Sequence, residues 1–149
     1  MVADPFCSPD EISGTIFYSS RHINLLYDIK PVVRGHVLFV TKRHVVGATE
    51  LSEEEIYDIH KTLKFAVPKI TRIYGDHEAS YNLTVQVGRH SGRTVDHFHM
   101  HMIPRNVGDR FSRDENVYDA IKNNSTHFSI EDVRREVAIL REEFGYKQG

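Results

Sequence analysis

His97-Phe98-His99-Met100-His101-Met102-Ile103 is the stretch on which the reading of this chain turns. Side chains alternate along a strand, so the three histidines share one face while Phe98, Met100 and Met102 share the other. The apolar face suits packing on a helix, and the imidazole face lines a polar surface. A strand of this kind needs neighbours, and the flanking sequence offers four. Immediately upstream, Ser80–Val87 alternates cleanly: Tyr81, Leu83, Val85 and Val87 point one way, Asn82, Thr84 and Gln86 the other. The turn-rich loop 88–94 (GRHSGRT) joins it to the histidine strand, which the pattern runs from Val95 to about Pro104. Further back, Gly35–Thr41 (GHVLFVT) is rich in β-branched and aromatic residues, and Thr15–Ser20 and Ile23–Ile29 read as two earlier strands.

Two helices punctuate these strands. Ser52 with Glu55 three residues on makes a capping box, apolar residues recur at Ile56, Ile59, Leu63, Val67, Ile70 and Ile73, and Gly75 ends the run. Pro68 removes one backbone donor and predicts a bend near Lys64–Pro68 rather than a break, because the stripe continues beyond it. Ser129 and Asp132 cap a final helix striped by Val133, Val137, Leu140 and Phe144 and closed by Gly145. Residues 106–128 are largely polar, with one short apolar stripe at Val117 and Ile121, which predicts a mobile loop holding a helical turn; residues 1–14 read as a loose lead-in. Strands in a meander with separated helices predict an α+β fold with an antiparallel sheet, in a single domain over 1–149. Helices on one sheet face leave the other for a site, a dimer contact, or both.

Composition narrows the function classes. The chain has 149 residues, 40% apolar and 27% charged, which is globular and excludes wholesale disorder. Its 19 basic and 21 acidic residues give a net charge of −2, without the basic excess that a strong nucleic-acid or membrane-surface grip needs. The single cysteine, Cys7, can form neither an internal disulfide nor a zinc cluster. With no signal-peptide core and no run of ~18 apolar residues, a cytoplasmic or nuclear location is expected, with no membrane partner. No GxGxxG or GxxxxGK[ST] motif occurs, which argues against dinucleotide and P-loop folds.

Three imidazoles invite a metal, but the outer two stand ~13 Å apart along a strand at ~3.3 Å per residue. Sharing an ion at ~2.1 Å would force each ring to lean roughly 5 Å along the chain. His97 with His99 could ligate, with no obvious third ligand, so no structural zinc is expected. An imidazole nucleophile fits better. Neutral histidine, titrating near ~6.5, can attack phosphorus without a separate strong base. It needs its other nitrogen held as a donor, and donors around the phosphate oxygens. His99, flanked on the same face by His97 and His101, is the natural nucleophile.

The motif His-φ-His-φ-His-φ-φ, taken with Lys30–Val45 (KPVVRGHVLFVTKRHV), Gln86 before a Gly-rich loop, and Pro104–Ile121, resembles the fragile-histidine-triad branch of the histidine triad superfamily over roughly residues 15–145. That resemblance implies a five-stranded antiparallel meander sheet with a long helix and a C-terminal helix, two such sheets joining across a homodimer. It implies a hydrolase of dinucleoside polyphosphates, with diadenosine triphosphate cleaved to AMP and ADP through a nucleotidyl-histidine. His99 would be the nucleophile, His101 would contact phosphates and leaving group, His97 would orient the nucleophile, and His36 would be the fourth histidine behind the triad. Gln86 would meet the polyphosphate bridge; Gly92, Arg93, Thr94 and Val95 would line the phosphates; Leu26 and Leu38 would bound the base. Asp28 stands where the branch typically carries asparagine for the ribose, and Arg34 where it carries proline. Taken alone, Gln86 also fits a solvated strand face, and Asp28 fits turn chemistry before Lys30-Pro31. Mg2+ or Mn2+, held mainly by substrate phosphates, would assist by neutralising charge. A phosphoramidase or adenylylsulfatase of the same superfamily, and a nucleotide-binding signalling module whose bound complex is the working state, remain as alternatives.

Overall fold

The computed structural model describes residues 6, 13–91, 93, 95–112 and 115–147. Five antiparallel strands form one sheet: β1 (Ile16–Ser19), β2 (Ile23–Tyr27), β3 (Val37–Thr41), β4 (Ser80–Val85) and β5 (His99–Arg105), in the spatial order β1-β2-β3-β5-β4. The first three strands meander as expected. The long helix α1 (Glu53–Tyr74) then carries the chain past one strand position, and β5 returns to fill that gap between β3 and β4. The histidine strand is therefore interior, hydrogen-bonded on both sides, and β1 and β4 are the two edges.

Helix α1 starts on the capping box read from sequence: the Glu55 N–H donates to Ser52 Oγ at 3.1 Å and the Ser52 N–H donates to Glu55 Oε1 at 2.8 Å. It runs unbroken through Pro68, which lies on the exposed side of the helix together with Lys64, whose carbonyl the proline deprives of a donor. Its buried face is turned about one residue from the predicted stripe. Ile56 is exposed, while Asp58, Thr62 and Thr71 are buried. Asp58 accounts for part of this rotation, because its Oδ2 accepts hydrogen bonds from Ser20 Oγ and the His22 N–H, both at 2.7 Å, and so latches the β1–β2 turn to the helix.

Residues 106–128, expected as a mobile loop with a helical turn, carry the short helix α2 (Val117–Lys122), capped by Asn116. Val117, Ala120 and Ile121 pack with Val32, Ile103 and Phe111 in a satellite core, which the two-residue stripe was too short to reveal. The last helix, α3 (Ile130–Phe144), ends on Gly145 in the left-handed conformation, as predicted. Both α1 and α3 cover the same sheet face, where Leu25, Phe39, Met100 and Met102 meet Ile70, Val137 and Leu140. The opposite face carries Leu26, Leu38, His99 and His101. No helix among the described residues is long and apolar enough to cross a membrane.

Candidate active site

Register places the histidines. Val40 pairs with His99 and Leu38 with His101, so two of the three imidazoles sit on the helix-free face, alternating with Met100 and Met102 in the core. His97 lies outside the strand. The ladder begins at His99, not at Val95, because the chain before it bends to tie elsewhere. His97 Nε2–H donates to the Thr41 carbonyl at 2.7 Å, and the Phe98 N–H donates to the Val45 carbonyl. All three rings are nonetheless buried.

Backbone atoms fix the tautomers. A carbonyl can only accept, so His99 Nδ1, 2.7 Å from the His97 carbonyl, must carry the proton, leaving its lone pair on Nε2. Thus His97 orients the His99 ring through its main chain while its own ring anchors the bend. A second chain of bonds runs from behind the sheet. The Val32 N–H donates to His36 Nδ1 at 3.1 Å, so the His36 proton sits on Nε2 and is given to His101 Nδ1 at 2.9 Å. His101 is then left with its own proton on Nε2, a buried donor with no hydrogen-bond partner among the described residues. One ring presents a lone pair and its neighbour a proton, with centroids 5.2 Å apart.

Burial sets the charge state. Desolvation pushes His36 and His101 down to about 3, and it also lowers His99, against the raising effects of the His97 carbonyl and Asp28. All three rings are neutral at physiological pH. Gly35 positions His36: its φ of +88° and a Tyr74 ring carbon 2.6 Å from where a Cβ would stand leave room only for glycine. Arg34 pins the same turn to α3 through Glu136 at 3.0 Å.

Asp28 makes the turn contact that its sequence context suggested, and it also faces two of the histidines. Its Oδ1 accepts the Lys30 N–H at 2.8 Å in a turn, while Oδ2 faces His36 Nε2 at 3.4 Å and His101 Nδ1 at 3.9 Å. Burial pushes its carboxyl up. With the 2.9 Å between the two rings, these distances make a triangle whose corners all lie ~2.0 Å from one centre, the length of a Zn–N bond. Size therefore permits a cation, but hydrogen bonding opposes it. His36 could ligate through Nε2 only with a proton on Nδ1, and that Nδ1 already faces the Val32 N–H donor. The donor set fits a proton-wired pair rather than a metal cage.

Around the triad, Leu26, Leu38 and Val40 form an apolar patch against which Phe6 and Ile16 pack. Phe6 also lies with its ring centroid 5.2 Å from that of His99 and 5.5 Å from that of His97. Sequence reasoning missed it; the one available signal was an aromatic residue inside the lead-in of residues 1–14. His44 stands edge-on to His97, with the ring centroids 5.1 Å apart. Gln86 is buried rather than solvated, and its Nε2 donates to the Ser91 carbonyl at 3.1 Å, tying β4 to the following loop. Arg93 buries its guanidinium, donating to the Val46 carbonyl and pairing with Asp96 at 3.0 Å. Val95 is half-buried in the bend before His97; Gly92 and Thr94 lie outside the described residues.

Comparison with known proteins gives the following matches. The family model described as HIT domain matches residues 9–108. The bis(5'-adenosyl)-triphosphatase of Dictyostelium discoideum is 32% identical over 128 residues, covering 85% of this chain and 83% of the relative. The bifunctional bis(5'-adenosyl)-triphosphatase/adenylylsulfatase of Arabidopsis thaliana is 30% identical over 106 residues, 71% of this chain and 57% of its own length. The crystal structure of the Caenorhabditis elegans NitFhit protein superposes with a TM-score of 0.69 at 29% identity, over 87% of this chain and 27% of that one.

Proposed function

The chain belongs to the HIT domain family, and from that premise we propose that it hydrolyses dinucleoside polyphosphates, diadenosine triphosphate to AMP and ADP, through a nucleotidyl group carried on His99. The observation that carries this reading is the tautomer of His99, whose Nδ1–H is locked on the His97 carbonyl so that Nε2 holds a lone pair. Attack by Nε2 on the α-phosphorus forms a P–N bond as the bridging P–O bond breaks. The leaving oxygen takes the proton that His101 presents on Nε2. Water then attacks the phosphorus, giving a proton back to His101 Nε2 as its oxygen bonds phosphorus, while the P–N bond breaks and its electron pair returns to His99 Nε2. Gln86, Arg93, Val95, Gly92 and Thr94 would surround the polyphosphate, while Leu26 and Leu38 would face the base. Mg2+ or Mn2+ would ride on substrate phosphates.

The adenylylsulfatase activity in the Arabidopsis relative's name makes an adenylyl sulfate a second substrate to assay beside the first. We also propose a homodimer. The β4 edge shows Tyr81, Leu83 and Val85 between 37% and 42% exposed, an apolar row beside unpaired strand hydrogen-bonding groups. The decisive test is covalency. Protein quenched during turnover should carry a nucleotidyl mass on His99, and His99→Ala should lose turnover by several orders of magnitude while still binding nucleotide. Full activity in His99→Ala with no adduct in the wild type would sink the proposal.

A further inference from the structure

We propose that Asp28 is a positioning residue for the leaving-group proton: its Oδ2 is the counter-ion that lets the His36–His101 pair hold a second proton once phosphate is bound. The geometry is specific. Oδ2 stands 3.4 Å from His36 Nε2 and 3.9 Å from His101 Nδ1, while Oδ1 is occupied by the Lys30 N–H. In the neutral pair, His36 Nε2–H donates to His101 Nδ1. When a proton from solvent reaches His101 Nδ1, the two N–H groups can no longer face each other. Both turn to the one oxygen that lies beside each of them, Asp28 Oδ2.

His101 then carries protons on both nitrogens, and the balance closes over one cycle. In the first half, Nε2–H passes to the bridging oxygen as the P–O bond breaks, and the ring becomes neutral with its remaining proton on Nδ1 held by Asp28. In the second half, attacking water gives a proton to Nε2 as its oxygen bonds phosphorus, restoring the imidazolium. An asparagine at this position would accept the same hydrogen bonds without the charge. The other groups facing this pair do not supply an anion. His101 meets the neutral His36 just before β3, the neutral His99 on its own strand and Thr84 opposite on β4; Asp28 meets Lys30 across its turn.

This inference rests on the hydrolase reading above, and the test separates the two. Asp28→Asn keeps the acceptor for the Lys30 N–H, so the turn persists, and it still offers an acceptor to a ribose hydroxyl. The experiment measures kcat/KM against pH for wild type and Asp28→Asn, on diadenosine triphosphate and on its 2',3'-dideoxy analogue. In parallel, the His101 imidazole is titrated by NMR with inorganic phosphate present. An opposite charge within ~4–6 Å raises a group's proton affinity by ~1–3 pH units. The alkaline limb, where the acid on His101 is lost, should therefore move down by about that much in Asp28→Asn, on both substrates, and the NMR titration should move with it. A limb that stays in place overturns the proposal. So does a loss confined to the ribose-bearing substrate, which would make Asp28 a sugar ligand only. If wild type turns over no dinucleoside polyphosphate, the hydrolase reading fails, and the NMR comparison still decides: equal His101 titrations in the two proteins refute the counter-ion role, and a lower one in Asp28→Asn supports it.

Discussion

Lowering the pH from 7.0 to 5.5 should destabilise this fold by about 2.5 kcal/mol through two side chains. Burial holds His36 and His101 down to about 3, whereas in the unfolded chain each titrates near ~6.5. Between those values the unfolded state binds protons that the native state refuses, so stability is intact above pH ~6.5 and falls as the pH drops below it. Each ring contributes ~1.2 kcal/mol over this interval, and the size depends only on both rings staying neutral in the native state at pH 5.5. His99, also held down, adds in the same sense. The paired carboxylates Glu55, Asp109 and Asp132 are held below their ordinary values, so what they contribute is lost only as the pH falls through and below ~4; they are silent here. Asp28 works the other way, regaining stability as the pH falls through its raised value, and melting the Asp28→Asn variant removes that opposing contribution. Urea and thermal melts by circular dichroism at the two pH values are the assay; for a chain of this length ~2.5 kcal/mol corresponds to a Tm drop of ~5–10 °C. His101→Asn should cut the pH sensitivity by about half whatever its effect at pH 7.0. Identical urea midpoints at both pH values would mean the buried rings take up protons in place, and the tautomer wiring derived above would be wrong.

Gln86→Ala should lower kcat/KM for diadenosine triphosphate ~10- to 100-fold, the value of one hydrogen bond to a charged phosphate, and should affect an adenosine phosphoramidate much less. Equal losses on both substrates would assign Gln86 to bracing the loop through its bond to the Ser91 carbonyl. Since His36 has its Nδ1 taken by a backbone donor, purified protein should hold well under one zinc per chain, and a zinc chelator should leave turnover unchanged; stoichiometric zinc whose removal abolishes activity would reverse that conclusion. Leu83→Lys on the β4 edge should yield a monomer by light scattering without loss of secondary structure, and an unchanged mass would rule that edge out as the contact.

Much of this molecule is written in its local periods. The Ser52–Glu55 and Ser129–Asp132 caps, the helical stripes, and the alternation that sends His99 and His101 away from Met100 and Met102 follow from where successive side chains point, which depends only on a residue and its near neighbours. The same logic overran at its margins. Val95–Phe98 shares the alternation but not the ladder, because His97 and Phe98 bond to Thr41 and Val45 instead. Ile56 belongs to the stripe yet is exposed, because the β1–β2 turn claims Asp58.

Strand order and the state of the site are different in kind. That β5 enters between β3 and β4 depends on contacts between segments far apart in the chain, and no pattern within any one segment records it. The groups that decide which nitrogen of each histidine carries its proton are the Val32 N–H and the Thr41 and His97 carbonyls, main-chain atoms that every non-proline residue possesses and that no side-chain identity announces. The sequence by itself determined that three imidazoles, a fourth histidine and an aspartate are present and which strand bears the triad. Only the tertiary structure decided that one ring offers a lone pair, its neighbour a proton, and Asp28 a charge beside them, because tautomer and charge follow from hydrogen bonds and burial that exist only once distant backbone has been brought alongside.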